Sequence, residues 1–239
     1  MDSQDERPRG RRGSATGRET RRSYDRLAPA YREQFARELE HKPFDRTFLD
    51  HVAAVIDPSE WLIDLGSGPG QIGAYLAAGG ARVLSVDLSL AMLREAALVV
   101  PGGNRVQADM RLLPLAPSSI GGIVAFYSLI HIPPDELAAT LMELGRVLRI
   151  GGHVALTTHV TSPPNHGAPL RQEGSLVLHV EEMLSTPVAL DFFFYGLAEL
   201  VPCLEDTGFS LVESSEREPY APAIEAQSRR AYVLAQKRA

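Results

Sequence analysis

The stretch Trp61 to Ala78, WLIDLGSGPGQIGAYLAA, constrains the fold of this chain more than any other. A short apolar run from Trp61 to Leu65 carries one acid, Asp64, then breaks into Gly66-Ser67-Gly68-Pro69-Gly70 and resumes with Ile72, Tyr75 and Leu76 at helical spacing. That order predicts a strand, a glycine loop and a helix N-terminus. Glycine has no Cβ to hold a ligand off the backbone, and the first turn of a helix leaves unpaired N–H groups for polar or anionic atoms.

The loop can be read in two frames. Gly68-Pro69-Gly70-Gln71-Ile72-Gly73 satisfies the G-x-G-x-x-G pattern of nicotinamide and flavin enzymes. Asp64-Leu65-Gly66-Ser67-Gly68-Pro69-Gly70 resembles motif I of the class I S-adenosylmethionine (SAM)-dependent methyltransferases. Asp64 favours the second frame. A carboxylate just before the turn is ill placed for a pyrophosphate, whereas a cofactor with a cationic amino-acid end and a sulfonium is at home near acids.

Two further strand ends extend the pattern. Ala81 to Val86 reads as a buried strand ending in Asp87, at the separation from Gly66 where a β-α-β unit sets an acid on ribose hydroxyls. Ser89 is the expected N-cap of a helix from Leu90 to Ala97. Asn104 to Gln107 forms a third strand closing in Ala108-Asp109-Met110. The resemblance implies that Asp109 bonds the adenine amino group and Met110 packs on the ring. It also implies cofactor contacts for Gly66, Ser67, Gly68, Leu88, Met92, Phe126, Tyr127 and Ser128. Any one of these acids alone reads as a solvated strand end; three at successive strand ends do not.

The similarity runs from about Tyr24 to the C-terminus and is strongest over Leu62 to Thr158. Gly121 to Phe126 supplies a fourth strand leading into Tyr127-Ser128-Leu129-Ile130-His131. Pro133-Pro134 open a helix whose Leu137, Leu141, Leu144 and Leu148 form one apolar stripe. Gly151-Gly152 is expected to stop that helix, with His153 to Thr158 as the fifth strand. Leu197 to Thr207 reads as a last helix, interrupted by Pro202, before closing strands at Phe209 to Ser214 and Arg230 to Ala235. The expectation is an α/β fold: a doubly wound Rossmann-like sheet of seven mostly parallel strands, the last antiparallel, with helices on both faces.

Residues 1–22 are rich in Arg with interspersed acids and almost devoid of apolar side chains, which predicts a disordered tail. A single domain is then expected over 23–239, with cap helices at 23–56 and a substrate-side insertion at 160–196. In the cap, Tyr24-Asp25-Arg26-Leu27-Ala28-Pro29-Ala30-Tyr31 matches the Y-D-x-x-A-x-x-Y pattern of related methyltransferases, which implies that Tyr24 and Tyr31 approach the methionine end of the cofactor. An amphipathic packing helix explains the same spacing, and Pro29 is expected to divide it into two short helices.

Methyl transfer needs a nucleophile held in line and water kept out; a base is needed only for nucleophiles that must lose a proton. His131 is the candidate base: it lies just past the fourth strand, where a doubly wound sheet forms its ligand crevice, and its ordinary pKa suits proton transfer near neutrality. A packing histidine bonded to backbone is the alternative. The segment Pro187-Val188-Ala189-Leu190-Asp191-Phe192-Phe193-Phe194-Tyr195 alternates partly like an edge strand that walls an apolar pocket, and its phenylalanines read partly as core.

Several classes are disfavoured. The chain has 239 residues, 44% hydrophobic, and a net charge of −6, which offers no cationic field for nucleic acid. Its single Cys, Cys203, suits the cytoplasm. No apolar run approaches the about 18 residues of a membrane span. The seven His show no metal-ligand spacing, and no Asp-Pro-Pro-Tyr-like motif follows the fourth strand. The reading is a cytoplasmic SAM-dependent methyltransferase acting on O, N or C of a small organic molecule of secondary metabolism. An NAD(P)-dependent oxidoreductase using the Gly68 frame and a non-catalytic subunit that binds SAM or its demethylated product are the alternatives.

Overall fold

The structure, a computed structural model, describes residues 17–163, 170–172 and 175–239. Its centre is a sheet in the order β3-β2-β1-β4-β5-β10-β9. The strands are β1 (Trp61–Leu65), β2 (Arg82–Asp87), β3 (Asn104–Gln107), β4 (Ile120–Phe126), β5 (Leu148–His159), β9 (Phe209–Arg217) and β10 (Arg230–Lys237). The chain starts at β1, winds outward to β3, and returns to β4 beside β1, both parallel to it. That reversal opens a crevice beyond the carboxyl ends of β1 and β4. The final strand, β10, is antiparallel to both β5 and β9. The doubly wound sheet is as the sequence predicts.

Alternation along the strands sorts the core onto two faces. Ile63, Leu65 and Ile123 pack with Leu137, Leu141, Leu144 and Leu148 of α5 (Pro134–Val147) and the strand after it. Leu62 and Val124 face the other way, against α2 (Pro43–Val55) and α3 (Gln71–Ala78) through Phe48, Ile72 and Leu76. Each such leucine, fully buried, contributes about 1.5–3 kcal/mol over its exposed state. α4 (Leu90–Val99) has Ser89 as its N-cap, whose Oγ accepts from Met92 N at 3.1 Å.

Three expectations need correction. The first helix, α1, spans Gly17–Phe35, so the tail cannot extend to residue 22; residues 1–16 lie outside those described. Tertiary contacts carry this helix: Ser23 Oγ bonds the main chain of Ala189, and Arg32 pairs with Glu95 of α4 at 2.6 Å. Pro29 does not divide α1. Its ring is on the exposed side while Leu27 and Ala28 are fully buried, and that burial offsets the missing N–H bond. Gly151-Gly152 does not end α5, which stops at Val147; the pair lies inside β5, at the irregularity in its pairing with β4, with Gly151 at φ +74°. The insertion forms a second, antiparallel sheet of β6 (Leu170–Gln172), β7 (Ser175–Met183) and β8 (Thr186–Phe193), with β8 at its edge as the alternation from Pro187 predicts. Leu178, Val180 and Leu190 of this sheet pack on Leu27 and Ala28 of α1, so helix and sheet together roof the crevice. Pro202 sits within α6 (Leu197–Asp206).

Candidate active site

A cavity of about 650 Å³ lies between the strand ends and that roof. The glycine loop forms its floor. Gly66, Gly68 and Gly70 all have left-handed backbones (φ +68°, +52° and +86°), and a Cβ on Gly66 would lie 2.3 Å from Ser128 Cβ. Ser128 in turn donates from Oγ to Leu65 O at 2.8 Å, tying the end of β4 to the end of β1. At Gly68 the corresponding space is open, with only Tyr31 at 3.9 Å. The loop's backbone can therefore meet a ligand at van der Waals distance.

Acids brace this loop. Asp64, almost fully buried, accepts from Gly73 N at 2.9 Å, the first turn of α3, and burial pushes its carboxyl up to about 7. Asp87 accepts from Gly68 N at 2.8 Å and from Ser89 N at 2.7 Å; burial pushes it up to about 6. Each Asp87 oxygen has a second lone pair left for a ligand hydroxyl. Asp109 is held differently: Arg111 donates to both its oxygens, at 2.9 and 2.6 Å, and reaches on to Glu136 at 2.6 Å. Leu88, Met92 and Met110 supply apolar lining, Met92 from beneath α1.

The other side carries the polar aromatic groups. His131 ends a short 3-10 turn, Leu129–His131, and its Nδ1 lies 2.8 Å from the carbonyl oxygen of Asp191 in β8. A carbonyl only accepts, so Nδ1 bears the proton and Nε2 is the acceptor. Tyr24 Oη, 2.6 Å from Nε2, must donate to it. Burial pulls His131 down to about 4 and pushes the Tyr24 phenol well above 10, so both stand neutral. Phe192 closes on the imidazole edge-on at 4.8 Å, Tyr31 sits edge-on to Tyr24 at 5.9 Å, and Phe126 lines the wall nearby. Phe193 and Phe194 belong to the buried core as well as to the wall. Tyr127, strained at φ +52°, turns its hydroxyl away from the cavity to Asp45 and Tyr232 at 3.2 and 3.0 Å.

Every site residue read from the sequence lines this one cavity. The sequence reading missed Glu38, Lys42, Gln71, Arg111, His159, Glu225 and Arg230, which line it too. His159 was within reach: it ends a parallel strand, as Asp87 does. Gln71 and Arg111 were within reach too, directly after the glycine loop and two residues beyond Asp109; Glu38 and Lys42 come from the segment between α1 and α2, and Glu225 and Arg230 from far along the chain, which no spacing rule connects. Glu38 and Lys42 form an ion pair of 2.5 Å, and Gln71 Nε2 donates to Glu38 at 2.8 Å. Beside them Ser67 Oγ and Gln71 Oε1 are buried without a partner among the described residues. An ammonium-and-carboxylate group fits these donors and acceptors, as Asp87 fits ribose hydroxyls. The residues present fit SAM.

Comparisons with known proteins agree. Residues 62–152 match the family model of a methyltransferase domain. The chain is 39% identical over 97 residues to a malonyl-[acyl-carrier protein] O-methyltransferase of Pseudescherichia vulneris, covering 41% of this chain and 38% of that protein. It is 32% identical over 138 residues to the same-named enzyme of Enterobacter lignolyticus, covering 57% and 51%. It thus spans about half, or less, of these relatives' length. Among solved structures, the 1,6-didemethyltoxoflavin-N1-methyltransferase of Burkholderia thailandensis, bound to its substrate and S-adenosylhomocysteine, superposes with a TM-score of 0.62 at 17% identity, over 95% of this chain and 92% of that one. The glycine loop, the acids at its strand ends and the matched segment lead to one conclusion: residues 62–152 are a methyltransferase domain, and the fold around them is that of SAM-dependent methyltransferases.

Proposed function

We propose that this protein moves a methyl group from SAM to an O, N or C nucleophile of a small organic molecule. The observation that carries the reading is the continuity of the cavity: the glycine loop and the Tyr24–His131 pair line the same space, with an apolar wall from Phe192 and Ile130 beside them. Asp87 would hold the ribose, Met110 and Leu88 the adenine ring, and Ser67, Gln71, Glu38 and Lys42 the amino-acid end. When bound, SAM supplies a methyl group already activated by its sulfonium. The chain's own work is to orient the acceptor, exclude water under α1 and the β7–β8 hairpin, and receive a proton where the nucleophile carries one. Tyr24 can take that proton at Oη while passing its own to His131 Nε2, leaving the imidazolium bonded to Asp191 O.

The nicotinamide alternative is disfavoured by charge, because Glu38, Asp64, Asp87 and Asp109 would all stand near a pyrophosphate. A non-catalytic subunit would not need a cavity reaching past the cofactor to a buried Tyr–His pair. The cytoplasm and secondary metabolism complete the proposal; among the described residues, no helix is long and apolar enough to cross a membrane. Isothermal titration against SAM, S-adenosylhomocysteine and NADH tests it. Micromolar-range binding of the first two is expected, and binding of NADH alone would overturn it.

A further inference from the structure

Four buried polar atoms of cavity-lining side chains lack a partner among the described residues, and they fall in two places. Ser67 Oγ and Gln71 Oε1 lie by the glycine loop and are accounted for by the cofactor. His159 Nδ1 and Arg230 Nε are not. These two residues face each other across the antiparallel pair β5–β10, and Arg217 of β9 is next in the same row, opposite Arg230. Like charges directly opposite in a ladder repel; Arg217 is relieved by Asp45 at 3.0 Å as well as by Glu225, and Lys42 by Glu38, whereas the one carboxylate beside Arg230 is Glu225. Glu225 accepts from Arg217 through both oxygens, at 2.6 and 3.1 Å, and lies 3.7 Å from Lys42. It also lies 3.2 Å from Arg230 Nε, which is not aligned to donate to it. The hydrogen bonds Arg230 does make go to neutral carbonyls, those of Ser228 and Ala226. Its guanidinium thus shares a counter-ion with two other cations, while its Nε–H has no aligned acceptor among the described residues. Beside it the His159 ring stacks on Tyr127 at 5.0 Å, held neutral by burial and by the cations Arg230 and Lys42.

We propose that Arg230 and His159 form the subsite for an anionic oxygen of the acceptor, and that the acceptor is a carboxylic acid with an apolar body. The carboxylate accepts from the guanidinium and the imidazole N–H; the body lies along Phe192, Leu178 and Ile130, which line the same cavity. This rests on the methyltransferase reading, since the sulfonium adds a further positive charge that a monoanion balances. A phosphate dianion fits poorly, because Glu38, Asp87 and Glu225 line the same space.

The test uses the full chain saturated with S-adenosylhomocysteine, whose own binding is measured first. Failure at that step would count against the methyltransferase reading and not against the subsite. Three matched pairs are then titrated: benzoate and benzamide, cinnamate and cinnamamide, octanoate and octanamide. At least one carboxylate should bind ten-fold or more tightly than its amide. That preference should fall below three-fold in Arg230→Met and in His159→Phe, with S-adenosylhomocysteine affinity kept within three-fold. His159→Phe preserves the ring stacked on Tyr127, so it remains informative if Arg230→Met does not fold. Equal binding within all three pairs, absence of binding by every carboxylate, or a preference that survives in His159→Phe would overturn the proposal.

Discussion

Tyr24 and His131, more than a hundred residues apart in the chain, meet at 2.6 Å from Oη to Nε2. Because Nδ1 of the same ring must donate to Asp191 O, the direction of the bond is fixed and the imidazole's lone pair is spent on the tyrosine. An acceptor in the cavity therefore meets a phenol backed by an imidazole, not a bare histidine. For an acceptor that must lose a proton, His131→Ala and Tyr24→Phe should each lower turnover by about 10²–10⁴ while S-adenosylhomocysteine still binds. Near-normal turnover in both variants would mean that orientation alone carries the reaction.

The pH profile separates this pair from an exposed histidine. His131 must be neutral to receive a proton, and burial places its titration at about 4 instead of the usual value near 6.5. In kcat, with the cofactor already held by Asp87, the acid limb should thus lie near pH 4 to 5. A limb centred near 6.5 would show that the ring is solvated during turnover. The same shift acts on stability: the unfolded chain binds this proton more tightly, so the contribution is present above 6.5 and is lost as pH falls toward 4.

Asp64 acts with the opposite sign. Its carboxyl titrates at about 7 in the folded chain, raised by burial, so the folded state holds this proton more tightly than the unfolded one. That favours folding at low pH and is lost as pH rises through 7. Asp64→Asn keeps an acceptor for Gly73 N and removes the ionisation. Its stability relative to the parent should increase between pH 4 and 7, by up to about 4 kcal/mol, read from urea unfolding at several pH values. A constant difference across that range would show that Asp64 is ionised throughout.

Asp87→Ala should weaken S-adenosylhomocysteine binding roughly ten- to hundred-fold, the share of hydrogen bonds to a charged acceptor. The fold should also suffer, because Gly68 N and Ser89 N both lose their acceptor. A fall in melting temperature should accompany the loss of affinity, and Asp87→Asn should recover part of both. Unchanged affinity in the alanine variant would leave Asp87 as a brace for the loop alone.

Gly66 and Gly102 offer a matched comparison. Both have positive φ, +68° and +77°, but a Cβ at Gly66 meets Ser128 while at Gly102 nothing lies within 4 Å. Gly102→Ala should cost about 1 kcal/mol of backbone strain. Gly66→Ala should cost several times more and abolish cofactor binding, since the end of β4 must move. Similar losses in chemical denaturation would mean that strain and not contact restricts Gly66.

What the sequence determined by itself was local. Trp61–Leu65, the three left-handed glycines, Ser89 as a cap and the leucine stripe of α5 follow from patterns of two, three or four residues, and the same patterns order the seven-stranded sheet. The acids at the ends of β1, β2 and β3 could be located because a parallel strand ends where the crevice begins. The tertiary structure decided what those side chains are bonded to. Arg111 claims Asp109, Gly73 claims Asp64, and Tyr24 claims the lone pair of His131. It also decided that Gly17 to Arg22 is helix and that Pro29 does not break it, because docking on β8 and α4 outweighs composition and propensity. Arg217, Arg230 and His159 come into one row only through the antiparallel register of β10 between β5 and β9. Contacts of that kind join segments far apart in the chain, and no local spacing encodes them.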